Sequence, residues 1–211
     1  MKIIGIIGRS DYSPNKHEVM LIYDNIRKKL AQFDVLLVGI VPSTTCSYLK
    51  AERTYIDEEK FVATLNLCDG FVLQGGSEFY DYDLFVAKYA HELDKPLLGI
   101  CLGSQVIGTY LGGVCVTMDT CHEPIHEVEI KEKTKLCSIM NTNKIIVNSR
   151  HKDSIKNIEE NYVGARYETI IEAIEDRTKK FFLGVQWHPE DMNDEYSNKL
   201  FRAFINAVEG K

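Results

Sequence analysis

The sequence lacks the long apolar runs of membrane proteins, since none approaches the roughly 18 residues needed to span a bilayer. It also lacks excess positive charge: 25 Lys and Arg against 31 Asp and Glu give a formal net charge of −6, which disfavours nucleic-acid binding. Only five prolines occur, and 45% of the residues are hydrophobic and 27% charged. This balance is typical of a globular chain, so we expect a single domain over residues 1–211 with neither a membrane nor nucleic acid as partner.

Two further absences concern the cell compartment and the cysteines. The first apolar run, residues 2–8, is too short for the core of a signal peptide, so we expect a cytoplasmic protein. The six cysteines include no Cys-x-x-Cys pair. We therefore expect free thiols in a reducing compartment and no structural zinc site built from paired cysteines.

Apolar periodicity divides the chain into two halves. In the first half, short apolar runs alternate with segments whose apolar residues recur every three or four positions, which predicts a parallel sheet covered by helices on both faces. The predicted strands are residues 2–8, 35–41, 70–73 and 96–100, and the predicted helices are residues 17–32, 57–67, 82–93 and 102–111.

In the second half, short strand-like runs follow one another with few helices between them, which predicts antiparallel hairpins. These runs are residues 114–118, 127–130, 144–147, 162–165, 170–174 and 181–185, and a final helix is predicted over residues 194–208. We therefore expect an α/β fold with a mostly parallel central sheet flanked by helices and an added antiparallel section in the C-terminal half.

The strongest chemical signal surrounds Cys101. Residues 96–106 read PLLGICLGSQV, so an apolar strand runs into the cysteine and a helix follows at once. Glycines two residues before and after Cys101 permit the sharp turn of a nucleophile elbow, and the helix N-terminus favours a thiolate. The alternative is a small buried core cysteine between glycines that serve packing.

A second signal is residues 184–190, GVQWHPE. Pro189 disfavours the helical region for His188, and in extended chain residues two apart point to the same side. His188 and Glu190 could then serve as a base and its orienting carboxylate, as in a catalytic triad. The alternative is a surface histidine beside a solvated carboxylate.

A third signal is the glycine pair in residues 73–77, LQGGS, whose N–H groups could meet a developing oxyanion. Alone, two glycines more often form an ordinary turn. All three signals follow predicted strands of the parallel sheet, and ligands of such sheets bind at the carboxyl ends of the strands. Their coincidence at one edge favours a catalytic site.

Residues 99–105 and 184–190, in that order, make the chain similar to class I glutamine amidotransferase-like proteins, and within them to the peptidase C26 or γ-glutamyl-γ-aminobutyrate hydrolase-like branch. The resemblance covers nearly the whole chain and implies a flavodoxin-like amidotransferase fold without a cofactor or metal. It also implies a set of site residues. These are the catalytic Cys101, His188 and Glu190, an oxyanion hole from the N–H groups of Gly76 and Leu102, and the substrate-binding Gln105, Asn148, Ser149, Arg150 and His151.

The chain departs from that pattern in places that bear on the leaving group. Leu102 stands where branch members often have Arg, as in synthetase-linked glutaminase domains, and Lys152 stands in a segment that often reads His-His-Gln. The short Tyr- and Asp-rich stretch of residues 79–83 either faces the substrate and leaves an open groove or forms the first turn of a helix. These features also resemble γ-glutamyl-CDP-amidate hydrolases of capsule phosphoramidate biosynthesis. Cations that could meet a phosphate-bearing leaving group are Arg9, Lys16, Arg150 and Lys152.

Three functions are weighed on this basis. The leading hypothesis is a cysteine hydrolase that cleaves a γ-glutamyl amide-type bond through a thioester on Cys101, with a small-molecule γ-glutamyl substrate and a monomeric or homodimeric state. The first alternative is a glutaminase subunit that delivers ammonia to a separate synthetase partner. The second is a non-catalytic binding module, against which the intact set of Cys101, His188 and Glu190 argues.

The remaining histidines give weaker signals. His122 and His126 are four residues apart, a spacing that joins metal ligands on a helix, but Pro124 interrupts it. No metal site is therefore expected there. His17 and His91 are expected on helix surfaces.

Overall fold

A computed structural model describes residues 1–42, 57–78, 80–118 and 123–211. Nine strands form its main sheet, in the spatial order β4-β1-β5-β6-β13-β12-β11-β8-β9. The strands of this sheet are β1 (Lys2–Ile7), β4 (Val35–Ile40), β5 (Gly70–Leu73), β6 (Leu97–Ile100), β8 (Ile125–Ile130), β9 (Lys144–Asn148), β11 (Val163–Tyr167), β12 (Ile170–Glu175) and β13 (Phe182–Val185). Two hairpin-like pairs lie outside it: β2 (Arg9–Tyr12) with β3 (Glu18–Leu21), and β7 (Val114–Thr117) with β10 (Asp153–Lys156).

The first five strands of this order are parallel to their neighbours, whereas β12, β11, β8 and β9 pair antiparallel. The parallel part has the strand order 2-1-3-4-5 of flavodoxin-like sheets. This confirms the predicted fold class.

Six helices of the described residues cover the sheet: α1 (Asp24–Leu30), α2 (Glu58–Asn66), α3 (Asp81–Glu92), α4 (Leu102–Tyr110), α5 (Lys135–Met140) and α6 (Glu195–Glu209). Buried residues of α1, α5 and α6 belong to one hydrophobic cluster, and those of α2 and α3 to another. Val106 and Ile107 place α4 in the second cluster. Each face of the sheet thus has its own apolar core, which is why strands such as β5 and β6 are buried along their whole length.

The helix predicted over residues 17–32 is wrong in its first half. Residues 18–21 instead pair as β3 with β2, and α1 begins only at Asp24. Spacing alone misled here because Val19 and Ile22 fit a helical face equally well. The backbone groups of β3 find partners across the hairpin, and Met20 lies where any side chain on Gly8 would have to be.

The second half contains one helix and one strand that the periodicity does not predict. Helix α5 has only six residues, but its first turn is stabilised by tertiary contacts. The side chain of Thr134 accepts a hydrogen bond from the N–H of Cys137, and the carboxylate of Glu175 accepts from the N–H groups of Lys135 and Leu136 at 2.7 and 2.9 Å. A carboxylate from a distant strand therefore stabilises a helix too short to form alone.

Among the described residues, no helix is both long and apolar enough to cross a membrane. Four cysteines, Cys68, Cys101, Cys115 and Cys137, are free thiols. Cys46, Cys121 and His122 lie outside the described residues.

Candidate active site

Cys101 sits at the turn between strand β6 and helix α4, in the conformation that its sequence motif predicts. Its φ of 52° and ψ of −104° lie in a region that costs a non-glycine residue about 1–3 kcal/mol. Glycine is required on both sides. A Cβ on Gly99 would lie 2.5 Å from the carbonyl oxygen of Gly103, and a Cβ on Gly103 would lie 2.0 Å from that of Leu73. The close packing of β5, β6 and α4 thus holds the strained turn in place.

His188 links Cys101 to Glu190. Its Nδ1 lies 2.7 Å from Oε1 of Glu190, and its side chain is also hydrogen-bonded to Cys101. Burial lowers the pKa of His188, but the hydrogen bonds and charges of Cys101 and Glu190 outweigh it and raise that pKa to about 9. The imidazole therefore holds a proton at neutral pH and is ready to act as an acid.

Asn148, at the end of β9, fixes the backbone of His188. Its amide oxygen accepts from the N–H of His188 at 2.8 Å, and its amide nitrogen donates to the carbonyl of the same residue at 3.0 Å. This double contact holds His188 at a point where no regular element does. The structure thus places Asn148 behind the imidazole, where it can position the histidine.

Two buried glutamines lie beneath Cys101. Gln186 donates from Nε2 to Sγ of Cys101 at 3.6 Å. Gln105 in turn donates to Oε1 of Gln186 at 3.3 Å and to the carbonyl of Asp153 at 3.0 Å. Gln105 is therefore in contact with Gln186 rather than among the residues that line the cavity beside Cys101.

The glycine pair after β5 passes beside the nucleophile turn. A Cβ on Gly75 would lie 3.3 Å from the His188 ring and 3.7 Å from Cβ of Cys101, and one on Gly76 would meet the Leu102 side chain at 3.0 Å. Leu102 is the first residue of α4, so its N–H has no acceptor within the helix. The N–H groups of Gly76 and Leu102 thus belong to two segments in contact beside Cys101.

Arg9 supports this glycine segment from below. Its guanidinium donates through Nε and Nη2 to the carbonyl of Gln74 at 3.2 and 2.9 Å, and through Nη1 to Asp83 at 2.6 Å. The side chains of Arg9 and Asp83 are 3% and 0% exposed. Arg9 is therefore committed to a buried ion pair, and it does not offer a free cation to a phosphate as the sequence suggested.

A cavity of about 360 Å³ opens in front of Cys101. It is lined by Tyr23, Asn25, Gly75, Gly76, Ser77, Cys101, Arg150, His188 and Glu190. Arg150, with 56% of its side chain exposed, pairs with Asp191 at the rim, and Asn25 donates to the same carboxylate at 2.6 Å. The cavity thus reaches from the cysteine to a cation at the surface.

Other sequence-predicted site residues lie elsewhere. Ser149 and His151 are buried, and Lys16 and Lys152 are exposed outside the cavity lining. In residues 79–83, Phe79 lies outside the described residues, and the others form the start of α3. The carboxylate of Asp83 accepts from the N–H of Tyr80 at 2.9 Å, so the helix-turn alternative is correct for these residues.

Sequence reasoning missed Tyr23, Asn25 and Asp191 at the cavity. No motif marks the first two, since they follow the unpredicted hairpin. The backbone N–H of Tyr23 donates to Oε1 of Gln74 at 2.9 Å, a contact between positions 51 residues apart. Asp191 directly follows Glu190, so its proximity to the triad could have been anticipated from the motif.

Comparisons with known proteins agree with this geometry. The Peptidase C26 family matches residues 78–190. The chain is 33% identical over 143 residues to one of the subunits of the glutamine-hydrolyzing GMP synthase of Methanosarcina barkeri, covering 67% of this chain and 74% of that protein. It is 31% identical over 159 residues to the corresponding protein of Archaeoglobus fulgidus, covering 74% and 85%.

Among solved structures, the glutaminase domain of Trypanosoma brucei CTPS with bound acivicin superposes with a TM-score of 0.76 at 20% identity, covering 100% of this chain and 95% of that one. At that identity the likeness concerns the fold. The family match covers more than half of the chain and includes both the Cys101 and the His188 motifs. The chain therefore belongs to the Peptidase C26 family of class I glutamine amidotransferase-like enzymes.

Proposed function

We propose that the protein is a glutaminase subunit, in which Cys101 hydrolyses the side-chain amide of glutamine and the ammonia passes to a separate synthetase. The observation that carries this proposal is the hydrogen-bonded series Cys101–His188–Glu190 beside the glycine segment. The names of the relatives, which are subunits of glutamine-hydrolyzing GMP synthases, support glutamine as substrate and a synthetase as partner. This reverses the order of the sequence-based hypotheses, in which a γ-glutamyl hydrolase came first.

The chemistry follows from the geometry. The Cys101 sulfur attacks the amide carbon, and the resulting oxyanion is stabilised by the N–H groups of Gly76 and Leu102. The C–N bond then breaks, the His188 imidazolium gives its proton to the leaving nitrogen, and a γ-glutamyl thioester remains. His188, now neutral, takes a proton from water as the water attacks the thioester, which releases glutamate and restores the cysteine.

Arg9 gives a prediction about the oxyanion hole. Because its guanidinium holds the Gln74 carbonyl, it fixes the peptide plane that leads into Gly75 and Gly76. We expect the double variant Arg9→Met/Asp83→Asn to lower kcat about tenfold with KM nearly unchanged, since about 1.4 kcal/mol of transition-state stabilisation is lost. Steady-state glutamate release measures both constants.

The double variant avoids an unpaired buried charge, and the new asparagine side chain can still accept from the N–H of Tyr80. Urea unfolding is the control for stability. If the variant folds like the wild type and keeps full kcat, Arg9 has no positioning role.

A second candidate function is favoured by the rim of the cavity. Arg150 is exposed there and lies beside the opening to Cys101, so it could bind a negatively charged leaving group. The substrate would then be a larger γ-glutamyl conjugate, such as the γ-glutamyl-CDP-amidate suggested by the sequence, and no synthetase would be needed.

A substrate panel separates the two candidates. Purified protein is assayed for glutamate release from glutamine, a γ-glutamyl amine, a γ-glutamyl peptide and a γ-glutamyl phosphoramidate nucleotide, with Cys101→Ala as the blank. For the glutaminase, we expect kcat/KM for glutamine to exceed that for every conjugate by at least about tenfold, since a site without leaving-group contacts gains nothing from a bulky group.

The variant Arg150→Met sharpens the panel. If Arg150 contacts the glutamyl moiety, kcat/KM falls for all substrates alike. A preference for the phosphoramidate nucleotide that Arg150→Met abolishes would instead overturn the glutaminase proposal in favour of the conjugate hydrolase.

A further inference from the structure

Two histidines and a glutamate meet in the interior of the antiparallel section, away from the cavity lining. His126 lies on β8, His151 follows β9, and Glu172 lies on β12. The side chains of both histidines are 1% exposed and that of Glu172 is 0% exposed. The proposed hydrolysis uses none of these three residues.

The two imidazoles approach the same carboxylate oxygen. Nε2 of His126 lies 3.5 Å and Nε2 of His151 lies 3.4 Å from Oε1 of Glu172. These separations are longer than the roughly 2.7–2.9 Å of a charge-assisted hydrogen bond. They are close to the separation of about 3.3 Å between two ligand atoms of a tetrahedral zinc ion, for which metal–ligand distances are about 2.0–2.1 Å.

The opposite nitrogen of each ring has a backbone acceptor. Nδ1 of His126 lies 3.0 Å from the carbonyl of Glu123, and Nδ1 of His151 lies 2.8 Å from the carbonyl of Asp153. A carbonyl only accepts, so each Nδ1 carries a hydrogen while each Nε2 faces the carboxylate. A nitrogen and a carboxylate oxygen in this arrangement need a proton or a metal cation between them, and the long separations favour the metal. Metal-binding histidines are characteristically oriented in this way.

We propose that His126, His151 and Glu172 bind a divalent transition-metal ion of the zinc class. Two imidazole nitrogens and a carboxylate oxygen are ligands that suit zinc, and three protein ligands leave one position for a further ligand. This differs from the expectation from the sequence, in which Pro124 argued against a helical His-x-x-x-His site. The second histidine of the site comes from a different strand end.

The position of the site suggests what it stabilises. His151 is three residues after Asn148, which holds His188, and next to Arg150 at the cavity. A metal there would join β8, β12 and the segment after β9. It would thus be a structural metal that fixes the segment carrying Asn148 and Arg150.

The test measures metal binding directly on the full chain. After dialysis against a chelator, the protein is titrated with zinc in competition with a chromophoric chelator, and zinc is counted by mass spectrometry after gel filtration. We expect one equivalent in the wild type. The affinity should fall at least about 100-fold in His151→Ala and in Glu172→Gln, because each loses a direct ligand.

Two variants serve as matched controls. His17→Ala removes an exposed histidine and should bind zinc like the wild type. His188→Ala tests a competing group of described residues, His188, Glu190 and Asp191, whose ligand atoms all lie within 4.8 Å of one another. Zinc binding that is lost in His188→Ala and kept in His151→Ala would place the metal at the active site and overturn the proposal.

A stability measurement covers variants that fold poorly. Zinc at about 100 times its Kd should raise the melting temperature of the wild type by roughly 5–10 °C. In the wild type, cobalt should give the visible absorption of a nitrogen- and oxygen-ligated ion without a thiolate charge-transfer band. Fewer than roughly 0.1 equivalents of zinc, with no shift in melting temperature, would also overturn the proposal. Because these readouts do not involve glutamate release, they stand or fall separately from the glutaminase proposal.

Discussion

Replacing Cys101 with alanine is expected to lower kcat for glutamine at least about 10⁴-fold, because no thioester can form and only binding and the oxyanion hole remain. The fold should be kept, since the change removes one sulfur atom and could even relieve contact in the turn. The measurement is coupled glutamate release, with circular dichroism and urea unfolding to verify the fold.

Cys137→Ala is the matched control for this variant. Cys137 is a free, half-buried thiol on α5 and does not line the cavity. Its loss should leave kcat within about twofold of the wild type, as expected for a site without contact to substrate. If Cys101→Ala kept a tenth of wild-type activity, covalent catalysis by Cys101 would be excluded.

Replacing His188 with alanine is expected to cost roughly 10³–10⁵ in kcat, because the variant has no group to protonate the leaving nitrogen. Glu190→Gln should leave at least about tenfold more activity than His188→Ala, since Glu190 orients and charges the imidazole without moving the proton itself. Equal losses in two folded variants would give Glu190 a more direct role in the chemistry.

The same pair of variants predicts a pH dependence. The pKa of His188 is raised to about 9, so the imidazolium is present below that pH and is lost as the pH rises through it. We expect kcat/KM to fall above about pH 9 for the wild type. In Glu190→Gln the carboxylate charge that raises this pKa is gone, so the alkaline limb should move to lower pH. An unchanged limb would show that another group sets it.

Much of the fold could be predicted from the sequence because the signals are local. Buried parallel strands read as continuous apolar runs, and the helices between them repeat every three or four residues, so the elements in residues 57–111 are close to their predicted bounds. The misread segment, residues 17–32, fails because its alternation fits a strand and a helix equally. Only pairing with β2 decides between them.

For the site, the sequence by itself determined which residues could form an elbow and a triad. Glycines at positions 99 and 103 and the His188-Pro189-Glu190 series are short-range patterns whose backbone consequences are strong enough to be seen without a structure. Their meeting at one sheet edge also follows from the predicted parallel sheet.

Only the tertiary structure decided the surroundings of that triad. The ion pair of Arg9 with Asp83, the contact of Asn148 with His188, and the approach of His126 and His151 to Glu172 join residues that are 40 or more positions apart or come from different strands. Such contacts leave no periodic trace, because each depends on how packed elements bring single side chains together. A buried guanidinium and an exposed one look the same in the sequence. The fold assigns Arg9 to support the glycine segment and Arg150 to the cavity rim.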